Sequence, residues 1–500
     1  MPLRVHSYWL KLGLGAALVG LAELLLFDVY PGLNLGVVGS SLLAAVGLTN
    51  RGVWRWRASV FAFVAALAFG LLQIERASLL GCILFALALG VCVLAPRAPA
   101  ADDAGAWGLR LGLSAIKALL RPWQDLARLL KARERSRPMR LTAIALAAVA
   151  PVVGGAGFLW LFSAANPMIA QSIGRLRVPE PDVARIAFGL IVGFVVYTAL
   201  RPRGPKPRLK GAGGPVVSLP TITTASVGVS LVVFNAIFAL QNGLDIAFLW
   251  SGARLPQGVS LAEYAHRGAY PLIATALLAG LFVLIFLRPG TPTATSRPIR
   301  VLVAAWLAQN VFLVASTILR TLDYIEAYSL TRMRLAALIW MVLVAAGLIL
   351  IGWRLMRGKS GSWLVNANAM AAGLALILCS VVDLGAVSAA WNVRHAREVG
   401  GEGVELDLCH LQSLNGAALV SLAQVEQRPL PAETLDRVRA KRAELRAALL
   451  RRQADWRSWR WRDARRLARN ESLPGRPPAP APYGRSCDGA PLTRLPKTGT

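Results

Sequence analysis

Two short stretches collect side chains suited to acid–base or anion-binding chemistry. LAEYAHRGAYP, residues 261–271, carries Tyr264, His266 and Arg267 beside Glu263. RTLDYIEAYSLTRMR, residues 320–334, carries Tyr324, Glu326, Tyr328, Arg332 and Arg334 beside Asp323. Pooled guanidinium groups bind phosphate or carboxylate through paired donors. His266 is one of only four histidines in the chain. Neighbouring arginines disfavour its charged form, so a neutral imidazole is expected. Such a ring serves as a proton acceptor, a metal ligand or a hydrogen-bonding strut. Without a placed partner, the strut is the simplest reading. These residues are the candidate ligand-binding set; no catalytic residue is assigned.

The elements that must position them follow from composition. The chain has 500 residues, 55% of them hydrophobic and 16% charged, with a mean hydropathy of +0.52. An ordinary soluble domain has about a quarter charged residues. Here the charges fall in clumps between apolar runs of about 17 to 27 residues, the length that crosses a ~30 Å hydrocarbon core as helix. The expected fold is an all-α polytopic membrane protein. Eleven spans are read near residues 12–29, 33–48, 58–74, 77–95, 142–163, 184–200, 224–250, 270–287, 301–319, 335–353 and 364–390. Tyr30-Pro31-Gly32 reads as the tight turn between the first two. Arg4 and Lys11 precede the first run, which no small-residue cleavage site follows, so it reads as an uncleaved anchor.

The net charge of +29 would suggest nucleic acid in a soluble protein. In a membrane protein, short cytoplasmic loops collect Lys and Arg instead. One alternating set of loops holds Arg51, Arg55 and Arg57, then 96–140, then Arg201 to Lys210, then Arg288 to Arg300, then Arg354 to Lys359. Apart from 96–140, these carry no acid. The other set is mixed: Glu75 with Arg76, Glu180 and Asp182 with Arg175 and Arg177, Glu263 with Arg254 and Arg267, Asp323 and Glu326 with Arg320 and Arg332. The basic set is expected inside, with the N-terminus, and the C-terminal tail outside. Expected partners are the bilayer and its anionic lipids, with no nucleic acid and no cofactor.

Polar residues inside the spans form a second group. Glu23, Asn235, Gln309 and Asn310 fall at mid-depth; Gln241, Asn242, Asp245 and Asp383 fall in the outer half. An intramembrane acid faces protein or a water-filled cavity, so Glu23, Asp245 and Asp383 suggest a polar vestibule open to the outside. For the Asn and Gln residues, interhelical hydrogen bonds are the simpler reading.

Five parts are expected: a four-helix membrane part at 1–95, a cytoplasmic amphipathic segment at 96–140, a core membrane domain at 141–391, a helical extracytoplasmic tail at 392–473 and a disordered Pro-rich end at 474–500. In the second part, Leu109, Leu113, Ile116, Leu120, Trp123, Leu126 and Leu130 recur every three or four residues, with Arg110, Lys117, Arg121 and Arg128 on another face. That helix is expected on the anionic inner leaflet. In the tail, short helices are expected across 405–426 and one long helix over 431–470. Its Trp456, Trp459 and Trp461 sit among arginines, which favours lipid headgroups or docking on the bundle. Cys82, Cys92 and Cys379 lie in apolar spans, whereas Cys409 and Cys487 lie in the tail. Outside the cytoplasm those two are a candidate disulfide; two free thiols are the alternative.

Several motifs are set aside. RGKSGS lacks the earlier glycine of a phosphate loop, with Trp353 in its place, and no H-E-x-x-H or other metal motif occurs. LPKTG at 495–499 has only Thr500 after it.

The 235–392 region resembles a bacterial polytopic membrane family known as a domain of unknown function of the 4173 type. ALQNGLDIAFLWSGARLPQGVSLAEYAHRGAYPLIATALLAG and YIEAYSLTRMRLAALIWMVLV carry the resemblance, with ELDLCHLQSLN and DWRSWRWRDAR in the tail. The motif residues map onto Tyr264, His266, Arg267, Tyr324, Glu326, Tyr328, Thr331 and Arg334. The resemblance implies an integral protein of the bacterial inner membrane and supplies no activity. Three functions compete. One is a sensor or scaffold that binds an anionic ligand or lipid headgroup on its outer face. Another is an enzyme acting on a lipid-linked phosphate with His266 or Glu326 as base. The third is a transporter that couples protons through Glu23 or Asp245, against which eleven spans without an internal repeat weigh.

Overall fold

The computed structural model describes residues 2–98, 103–133, 182–202, 224–251 and 296–492, with isolated positions between them. The expected spans 142–163 and 270–287 lie outside the described residues, as do Tyr264, His266 and Arg267.

Apart from one isolated bridge between Arg485 and Pro491, the described secondary structure is helical. Helices α1 (Pro2–Leu26), α2 (Leu33–Thr49), α3 (Arg57–Glu75) and α4 (Leu79–Leu94) open the chain. Then come α5 (Ala104–Arg133) and α6 (Val183–Leu200), followed by α7 (Thr224–Asp245), which ends in a π turn at Ile246–Trp250. Next are α8 (Arg297–Tyr328), α9 (Arg332–Arg357) and α10 (Gly361–Val381). Among the described residues, seven helices are long and apolar enough to cross a membrane. Side chains that a soluble helix would bury, such as Val229, Val232, Ile237 and Leu240 of α7, point away from the protein. With hydrocarbon as solvent that arrangement is stable, because only the backbone needs internal partners. The chain is an all-α polytopic membrane protein.

Packing groups the helices by core rather than by the expected boundaries. The first core joins α1, α2, α3 and α4 to Val196, Ala199 and Leu200 of α6. The second lies among α7, α8, α9 and α10. Helix α6, expected with the second block, packs its C-terminal end into the first core. Helix α5 also rests on the first core, through Trp107 and Leu111. Its bundle-facing side includes buried Arg110, Ser114 and Ala118, while Leu109 and Ile116 of the apolar stripe are 45% and 62% exposed.

The last expected span, 364–390, is broken. α10 stops at Val381, Val382 is extended, and α11 (Leu384–His395) starts anew. The cause is Asp383, whose Oδ1 accepts the backbone N–H of Gly385 at 3.1 Å and of Ala386 at 3.2 Å. A carboxylate that caps a following helix ends the preceding one. Ala389 and Val393 of α11 then pack into a third core with the tail.

The tail comprises α12 (Leu408–Ser413), α13 (Leu419–Val425), α14 (Ala432–Gln453) and α15 (Trp461–Glu471). The expected single helix over 431–470 is two helices, because Asp455 caps a short turn at Trp456–Ser458 and the chain reverses there. The stretch expected to be disordered is placed through Leu492. Arg485 bonds Asp436 at 2.8 Å, Arg437 bonds Asp488 at 3.1 Å, and the Sγ atoms of Cys409 and Cys487 are bonded with Cα atoms 5.0 Å apart. Pairing to α14 and α12, rather than helix or sheet, orders this Pro-rich segment.

Candidate functional site

The intramembrane polar residues pair across helices. On α7, Asn235 accepts from Gln309 Nε2 of α8 at 2.7 Å and donates to Leu302 O at 3.0 Å. Asn242 donates to Gln309 O at 3.2 Å, and Trp250 Nε1 donates to Ser316 Oγ at 3.1 Å. Asp245 is fully buried and pairs with Arg320, with Gln241 also donating to it at 3.0 Å. In a low-dielectric interior an isolated charge is unfavourable, and the pair removes that penalty. Glu23 of α1 pairs with Arg185 of α6.

The described members of the 320–334 set do not share one depression. Arg334 lies 4.3 Å from the Tyr324 ring centroid and donates to the backbone oxygens of Tyr328 (2.6 Å) and Ser329. The Tyr324 and Tyr328 rings pack at a tilt of 37°, with centroids 4.8 Å apart. This arginine therefore satisfies the orphan carbonyls at the end of α8, where a cation also suits the helix dipole. Glu326 lines a cavity of about 210 Å³ with Trp391, His395 and Glu402. Arg332 turns the other way, donating to Leu414 O of the tail at 2.9 Å.

Arg332 enters a larger cluster that the sequence reading did not assemble. Here the tail sits on the helix ends. Arg462 donates to Glu75 Oε1 at 3.1 Å and to Val381 O at 2.9 Å, and Arg465 also bonds Glu75. Arg466 bonds Asp383 and, at 2.7 Å, Asp463. Arg460 donates to Pro31 O at 2.8 Å, while Leu33 N donates to Trp459 O at 2.8 Å. Gly32 permits that approach: a Cβ there would lie 2.5 Å from the Ser458 carbonyl. Arg76 donates to Val382 O at 2.9 Å.

Between these contacts lies a cavity of about 270 Å³. Arg76, Arg332, Arg452, Arg460, Arg462 and Arg466 line it, against the carboxylates of Glu75, Asp383 and Asp463. Six guanidinium groups face three carboxylates, an excess of three positive charges. Burial lowers the pKa of Arg76; Asp383 opposes this, whereas Arg462, Arg466 and Arg332 reinforce it. Arg460 is lowered in the same way, by burial first and by Arg452, Arg466 and Arg76, against Asp463. For Asp383, burial alone would raise the pKa. Arg466, Arg76, the Ala386 N–H and Arg462 together hold it below the ordinary carboxylate value. The cavity is thus electropositive beyond what its own acids neutralise, and an anion would relieve the repulsion.

The separation of the parts explains why they were missed. Glu75 and Arg465 lie 390 residues apart, and nothing local links them. The visible signals were the Glu75-Arg76 pair and the arginine run in WRSWRWRDARR.

This architecture defines a polytopic helical membrane protein with a helical tail docked on one end of its bundle. The family model described as Domain of unknown function (DUF4153) matches residues 34–425, and the chain belongs to that family. The 4173-type designation gives way to this one. No curated protein and no solved structure matches the chain. The family match ends at Val425, so Arg452, Arg460, Arg462 and Arg466 of the cavity lie beyond it.

Proposed function

We propose that this membrane protein binds an anionic group, a phosphate or carboxylate, in the arginine-lined cavity on its outer face, as a sensor or scaffold. The observation that carries the reading is the excess of six guanidiniums over three carboxylates around one half-open cavity. Paired guanidinium donors match the flat oxygen arrays of such anions. Binding there would tighten the joint between tail and bundle, which links occupancy to the tail's position.

The outward orientation has two supports. The turns that meet the tail, at Tyr30–Gly32 and Glu75–Ala77, alternate with the N-terminal end of α1, which carries Arg4 and Lys11, and the loop of Arg51, Arg55 and Arg57, neither with an acid; such segments favour the cytoplasm. The bridge between Cys409 and Cys487 suits an oxidising compartment. Thiol labelling of denatured, unreduced protein is expected to count three thiols, those of Cys82, Cys92 and Cys379, and five after reduction. Five before reduction would remove this support.

Arg452 offers the test of binding. It lines the cavity, yet lies 3.8 Å from Asp463 and 5.7 Å from the Tyr30 ring centroid, so it holds little of the joint. Purified protein is titrated with inorganic phosphate and, separately, with vesicles of phosphatidylglycerol or of phosphatidylcholine. Arg452→Gln is expected to weaken the bound anion by about 10- to 100-fold, the effect of one charged hydrogen bond of about 1.5–3 kcal/mol. Saturation by phosphate alone identifies a free anion; saturation by phosphatidylglycerol vesicles alone identifies a headgroup. Binding that Arg452→Gln leaves unchanged, or no binding to either, overturns the proposal.

A further inference from the structure

A second cavity lies at the opposite end of α1 and has different chemistry. It is a groove of about 220 Å³ between α1 and α6, with Gly15, Ala16 and Val19 on one wall and Gly193 and Val196 on the other. Lys11 and Arg201 stand at one end, and no acid lines it. Small residues leave the groove open. A Cβ built on Gly15 would meet Val196 and Leu200 only at 3.9 Å, and one on Gly193 would meet Val19 at 3.6 Å. These are ordinary contacts, so the glycines are not forced by crowding. The space they leave is the groove itself.

Its charged end is fixed in place. Lys11 Nζ donates to Leu200 O at 2.9 Å and to Asn50 Oδ1 at 3.3 Å, two of an ammonium's three donors. Arg201 donates to Tyr197 Oη at 3.0 Å. From Lys11 to Val19 the groove runs about 12 Å at 1.5 Å per residue, most of a ~15 Å leaflet, half the hydrocarbon core. Cations at one end of an apolar channel of that length match a phosphate with an acyl chain beneath it. A free phosphate has nothing to place in the channel. A zwitterionic lipid brings its own cation against Lys11 and Arg201.

We propose that the α1–α6 groove holds an acyl chain of an anionic phospholipid whose phosphate meets Lys11 and Arg201. The site is independent of the arginine cavity: Leu24, which touches the tail through Arg457, is about 20 Å along α1 from Lys11.

The test is native mass spectrometry of the full chain, reconstituted with equal phosphatidylglycerol and phosphatidylcholine and then stripped in detergent. The wild-type chain is expected to retain one phosphatidylglycerol. Gly193→Leu, which fills the groove, lowers retention at least tenfold, and Arg201→Gln removes the preference for phosphatidylglycerol. Gly15→Leu fills the other wall and replaces Gly193→Leu if that variant fails to fold. Retention unchanged in a folded groove-filling variant overturns the proposal, as does equal retention of phosphatidylcholine.

Discussion

Arg442→Ala is expected to destabilise the tail strongly and to leave the membrane helices intact. Arg442 is 7% exposed and uses every N–H it has. Nε donates to Asn470 Oδ1 at 2.8 Å. One terminal nitrogen reaches Glu426 Oε2 at 2.7 Å and Pro474 O at 2.9 Å. The other reaches Asn470 O and Leu473 O, both at 2.8 Å. Truncation takes a donor from three backbone carbonyls and a carboxylate; Pro474 O keeps Gln427 Nε2 at 2.6 Å and Asn470 O keeps the Leu473 N–H at 3.3 Å, but no such second donor remains for Leu473 O among the hydrogen bonds described. Glu426, 9% exposed, would keep only Arg439 and the Arg476 N–H. Breaking such a buried pair from one side destabilises by about 3–5 kcal/mol, against a typical domain stability of about 5–15 kcal/mol. Arg442→Lys does not rescue it, because an ammonium cannot span this planar fork. Limited proteolysis checks the result: the tail is cleaved at temperatures where the wild-type chain resists. A tail as resistant as wild type would show that the hub is not needed.

Asp383→Asn loosens the tail from the bundle without unfolding either. The amide still caps α11 but no longer neutralises Arg466, Arg462 and Arg76. The loss expected is about 1.5–3 kcal/mol, that of a charged hydrogen bond. Its readout is faster hydrogen exchange at Leu33 N, which donates to Trp459 O across the joint. The pH dependence has a definite sign. Asp383 is depressed in the folded protein, so its contribution is complete above the unfolded carboxylate value of about 3.9. It is lost as pH falls through the lower folded value. Relative to the intrinsic exchange rate, which acid itself slows, protection at Leu33 should therefore fall with pH in the wild type, whereas Asp383→Asn starts loosened and loses this part of the response. Equal exchange in the two proteins at neutral pH would exclude Asp383 as the clamp.

The membrane character was legible because bilayer thickness sets the length of an apolar run, and α2, α3, α4 and α6 stand within a few residues of the expected spans. What was not legible depended on partners far along the chain. Asp383 read as one more intramembrane acid; that it caps α11 and receives Arg466 is a tertiary fact. The arginines of the long tail helix were read as suited to lipid headgroups or to the bundle, yet Arg442 is at the centre of the tail. The Pro-rich end read as disordered because its order comes from Asp436, Arg437 and Cys409, none of which lies within it. The 320–334 set was read as one candidate anion site from its residue types alone, but helix geometry sends Arg332, Glu326 and Arg334 to three different places.

The central claim is that the arginine cavity holds an anion. Cryo-electron microscopy of the protein in nanodiscs containing phosphatidylglycerol, with phosphate in the buffer, tests it most directly. The account predicts one compact density between Arg76, Arg332 and Arg452, present in the wild-type chain and absent in Arg452→Gln. A cavity containing only water-sized features in the wild-type chain, with the six arginines placed as described here, would contradict it.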